Sequence, residues 1–94
     1  SSPAYVYMMI EAMADAGVLA GLPRKLAYKL ASQSIIGSAK MALETNTHPG
    51  ELKDAVCSPG GTTIEAVVSL ERSGFRSSII DAMNACLEKT KKMG

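Results

Sequence analysis

The stretch PRKLAYKLASQSIIGSAKMALET, residues 23–45, decides the fold. Pro23 suits a helix start, and no further proline follows until Pro49. Lys25, Lys29, Gln33, Lys40 and Glu44 fall on one narrow stripe at roughly helical spacing. Nearly everything else is apolar or small: Leu26, Leu30, Ala31, Ile35, Ile36, Gly37, Ala39, Met41, Ala42 and Leu43. A helix that exposes so thin a stripe is packed on most of its circumference. A chain of 94 residues has too little other material to surround it, whereas a second copy would.

The flanking sequence divides into further helices. Upstream, Ser2 reads as an N-cap and Pro3 as the first residue of a helix running to about Ala20, interrupted by Gly17 and ended by Gly21. Downstream, TNTHPGE at 45–51 breaks the chain, and Pro49 opens a short helix ending near Cys57. A fourth helix spans about Thr63 to Ser73, with Ile64, Val67, Val68 and Leu70 as its inner residues. Gly74 suits the left-handed residue that closes it. A fifth runs from about Arg76 to Lys92 and turns Ile79, Met83, Cys86 and Leu87 inward. No alternating strand pattern occurs. The expectation is an all-α domain of about five helices over residues 1–94.

Composition narrows the function. Hydrophobic residues make up 47% of the chain with one Phe and no Trp, so the apolar mass comes from small and aliphatic side chains that suit tight helix packing. The net charge of +1, with ten basic and nine acidic residues interspersed, leaves no nucleic-acid footprint. The one basic cluster, KTKK at 89–92, reads as a helix C-terminus complementing its own dipole. No apolar run reaches the roughly 18 residues of a membrane span, and no signal peptide is visible. Cys57 and Cys86 form no CxxC pattern, and with one histidine no metal site is expected. Two free thiols fit a reducing, cytoplasmic setting.

VCSPGGTTIEA, residues 56–66, is the segment that can carry chemistry. Thr62 and Glu65 read as a T-x-x-E capping box, which commits Thr62 to its own helix and leaves the Thr63 hydroxyl free. Gly60 and Gly61 carry no side chains to block access. Their N–H groups, with those of Thr62 and Thr63, make a helix-start anion seat. No Lys or Arg lies in the loop, which favours a small monoanion over a polyphosphate. The plain alternative is a sharp helix connection permitted by Gly-Gly. His48, before Pro49, reads as the N-cap of the short helix, since nothing nearby resembles a triad. Glu11 and Asp15 read as a solvated pair on the first helix, with Arg24 or Lys25 as available partners. The methionines and tyrosines of that helix read as core or interface. Dinucleotide, Walker and nucleophile-elbow motifs are all missing.

These residues resemble the C-terminal domain of the pyrroline-5-carboxylate reductases. The likeness covers essentially the whole chain: SSPAY, IEAMADAGVLAGLPR, AKMALET, HPGELKDAVCSPGGTTIEA and LERSGFRSSIIDA. The segment HPGELKD-x-V-x-SPGGTT is its most specific part. Ser2 stands where many members have Gly, and no role is carried over to Asn46. The resemblance implies an interlocked helical dimerisation domain, like the C-terminal domain of 6-phosphogluconate dehydrogenase. It further implies a reductase that moves hydride from NADPH or NADH to the C=N carbon of pyrroline-5-carboxylate, giving proline. The cofactor would be bound by an N-terminal domain that these 94 residues do not include. The chain alone is accordingly expected to neither bind a dinucleotide nor reduce an imine. The substrate carboxylate would lie on Gly60, Gly61, Thr62 and Thr63 with the Ser58 hydroxyl as an extra donor, and Thr63 would meet the ring nitrogen. The expected partner is a second copy, alone or in a larger assembly of dimers. Two other readings stay open: a dimerisation module with no activity of its own, and a helical carboxylate-binding protein unrelated to redox chemistry.

Overall fold

A computed structural model describes all of residues 1–94. Five helices follow one another: α1 (Ser2–Leu19), α2 (Arg24–Thr45), α3 (Pro49–Ala55), α4 (Thr62–Arg72) and α5 (Phe75–Met93). There is no strand, as the periodicity predicts. The chain divides into two units, residues 1–49 and 50–94.

In the first unit α1 and α2 form a helical hairpin. The turn between them is a Schellman closure: Gly21 N–H donates to the Val18 carbonyl at 2.9 Å and Leu22 N–H to the Gly17 carbonyl at 3.0 Å. Gly21 sits at φ +109°, a conformation that needs a residue without Cβ. Pro23 then caps α2, and its carbonyl receives the Ala27 N–H at 3.0 Å. Ser1, not Ser2, occupies the N-cap of α1, so Pro3 takes the second helical position. A proline there still costs nothing, because that N–H has no intrahelical acceptor.

Gly17 does not interrupt α1 as expected. The helix runs through it because its value is steric. A Cβ placed on Gly17 would lie 3.3 Å from the Ala27 Cβ and 3.3 Å from Leu22 Cδ1. Ala14, Ala27 and Ala31, the three buried residues of the chain, surround the same crossing. Small residues here let the two helices approach closely. Replacing Gly17 by Leu is expected to force them apart and cost about 1–3 kcal/mol, measured by thermal unfolding. A melt indistinguishable from the parent would show that the crossing is loose.

One ion pair ties the hairpin at its closed end. The Arg24 guanidinium donates to the Asp15 carboxylate at 2.5 Å and lies 5.8 Å from the Tyr28 ring centre. The hydrogen bond to Asp15 raises the Arg24 pKa above its ordinary value. The pair is solvent-exposed, so it orients the helices more than it stabilises them. Of the two acidic residues of α1, Asp15 is the one that finds Arg24.

In the second unit α4 and α5 join through Ser73 and Gly74. Gly74 at φ +76° closes α4, as its position predicts. Across this joint Arg76 Nε donates to Glu71 at 2.9 Å. Half-buried Ile64 and Val67 of α4, and Ile79, Ala82 and Cys86 of α5, form the inner faces. Val68, Leu70, Met83 and Leu87, expected among them, are exposed. A helix packed against a single neighbour covers only one strip of its surface, and those four lie outside it.

The apolar surface left uncovered is large. On α1, Tyr7 is 65% and Met8 67% exposed, and on α2, Leu30 is 50%, Ile36 58% and Leu43 78% exposed. Neither unit buries a side chain larger than alanine. No helix is long and apolar enough to cross a membrane.

Candidate functional site

The loop before α4 is built from a short helix end and one turn. Past Ala55 the chain tightens, with Val56 N–H donating to the Lys53 carbonyl and Cys57 N–H to the Asp54 carbonyl, both at 3.1 Å. α3 therefore ends before Cys57. Ser58-Pro59-Gly60-Gly61 is a β-turn closed by a 3.0 Å bond from Gly61 N–H to the Ser58 carbonyl. Proline second and a glycine at φ +69° third are the residues a type II turn requires. Any other residue at Gly60 would carry a left-handed penalty of about 1–2 kcal/mol.

Gly61 is constrained differently. Its backbone is extended (φ −81°, ψ 176°), so any residue could adopt it. A Cβ on Gly61 would displace the Ser58 hydroxyl and come within 3.2 Å of the Ser58 carbonyl, so a side chain there would disturb the turn. Ser58 thus folds back over Gly61 and holds its Oγ at the mouth of α4.

The expected capping box is not formed. Gly61 is the N-cap of α4, with no side-chain cap hydrogen bond, and Thr62 is already the first helical residue. The turn delivers the chain extended at Gly61, so the helix begins one residue early. Thr62 then has helical geometry, from which its hydroxyl no longer reaches back over the free N–H groups, and Glu65 has nothing to reciprocate. Thr63 is accordingly the second helical residue rather than the first. The hydroxyls of Thr62 and Thr63 are both exposed and uncommitted within the chain. The Gly61 N–H is spent inside the turn. Those of Thr62, Thr63 and Ile64 lie at the helix start, where no intrahelical acceptor exists.

The other marked residues have local roles of their own. Asn46 takes a left-handed conformation at φ +53° and terminates α2. The Thr45 hydroxyl donates to the Met41 carbonyl at 2.6 Å, and the Thr47 N–H returns to it at 3.3 Å. This explains the polar TNT run, whose role the sequence left open. His48 directly precedes α3, the position expected of it. Cys57 and Cys86 are half-buried and form no disulfide. No group of three or more His, Cys, Asp or Glu side chains is arranged to hold a metal. A shallow groove of about 190 Å³ lies on α4 against Ile64, Glu65, Val68, Ser69 and Arg72.

The match to known proteins is continuous. Residues 1–93 fit the family model described as pyrroline-5-carboxylate reductase dimerisation. The chain belongs to this family. A pyrroline-5-carboxylate reductase of Escherichia coli (strain K12) is 67% identical over 93 residues, covering 99% of the chain and 35% of that relative. The reductase of Pisum sativum is 53% identical over 93 residues, covering 99% of the chain and 34% of that relative. Among solved structures, the Plasmodium falciparum reductase with NADP bound superposes with a TM-score of 0.95 at 43% identity. That match covers 99% of the chain and 36% of the solved one. The Streptococcus pyogenes enzyme gives 0.94 at 40% identity, over 97% of this chain and 35% of that one. The chain thus spans about a third of the length of the curated relatives it matches. This member of the dimerisation family is all-helical, in agreement with the hydrophobic pattern.

Proposed function

We propose that this chain serves a cytoplasmic reductase of 1-pyrroline-5-carboxylate, supplying the dimer contacts and the seat for the substrate carboxylate. The observation that carries the reading is the uncapped start of α4, held open by the Ser58–Gly61 turn. A carboxylate placed there takes the N–H groups of Thr62, Thr63 and Ile64, and the helix dipole favours its charge. The Ser58 hydroxyl, folded over Gly61, adds a donor from the loop side. Gly60 and Gly61 contribute by leaving room, Gly60 also by allowing the turn. The seat has no lysine or arginine, so it suits a single carboxylate.

The Thr63 hydroxyl then reaches the ring nitrogen of the bound imine. Threonine is too weak an acid to protonate it, so its part is orientation and a hydrogen bond that strengthens as the C=N bond is reduced. The proton comes from an already protonated imine or from water. NADPH or NADH, when bound, supplies the hydride to the C=N carbon. The five helices here contain no strand–glycine turn–helix unit and do not fit the dinucleotide's pyrophosphate. That group would be held by another part of the protein.

Titration of the full-length protein with L-proline, followed by amide chemical shifts and sedimentation, tests the seat. Saturable shifts at Thr62, Thr63 and Ile64 in an intact dimer are expected. Shifts that bypass these three amides would return the loop to a plain helix connection.

A further inference from the structure

We draw no further inference here: the strongest candidate, the outer face of α5 where Ile80, Met83 and Leu87 stand exposed at helical spacing, is an unpartnered apolar face, and nothing in the structure shows what covers it.

Discussion

Leu30→Asp combined with Met41→Asp is expected to abolish the dimer. In the isolated chain both residues are half-exposed, and substitutions at such positions ordinarily change stability by no more than about 0.5 kcal/mol. In a dimer that covers the exposed apolar residues of α2, two carboxylates would be stranded in an apolar contact. Each then carries a desolvation cost of several kcal/mol, and the pair would raise the dimer Kd by a factor of about a thousand or more. Unfolding should follow dissociation, because each unit by itself buries no side chain larger than alanine. Sedimentation and helical circular dichroism across a concentration series read both effects. Gln33→Asp on the polar stripe controls for the helix propensity of aspartate and should leave the dimer intact. A double variant that behaves like this control would show that Leu30 and Met41 face water.

The second large effect is on catalysis. If the full-length protein has the proposed reductase activity, Thr63→Ala should lower its kcat/KM about ten- to a hundredfold, corresponding to one oriented hydrogen bond of roughly 1–3 kcal/mol. The dimer and the thermal midpoint should not move, because the Thr63 hydroxyl holds nothing in the fold. Thr62→Ala should leave stability within about 0.5 kcal/mol of the parent, since the structure gives Thr62 no capping bond to lose. Had the capping box formed, the same change would have cost about 1 kcal/mol. Steady-state kinetics beside thermal melts separate these outcomes. Unchanged kinetics in the Thr63 variant would remove the hydroxyl from the reaction.

Local chemistry made much of this legible in the residues. Gly21 and Gly74 mark helix ends because left-handed backbone penalises every residue with a Cβ, and both were placed from sequence. Pro23 and Pro49 mark helix starts because proline cannot donate into a preceding turn. The thin polar stripe of α2 revealed how much of that helix needs covering, because helical periodicity converts spacing directly into direction. The loop before α4 was equally local, a turn and a helix start within a few residues of each other.

Distance in the sequence hid the rest. Gly17 reads as a helix interruption until Ala27 and Leu22 are seen against it. Asp15 finds Arg24 only once the hairpin closes. The role of Thr62 depended on one residue of phase, set when the Ser58–Gly61 turn took up the Gly61 N–H and started α4 early. Propensity is nearly blind to such a shift, because Thr and Gly are both acceptable caps. The sequence by itself thus determined the five helices, their ends to within a residue or two, and the family. Which small residues bring helices together was decided by tertiary structure, since Gly17 and Ala27 meet only after the hairpin has closed, whereas the phase of α4 was set by the backbone geometry of one local turn.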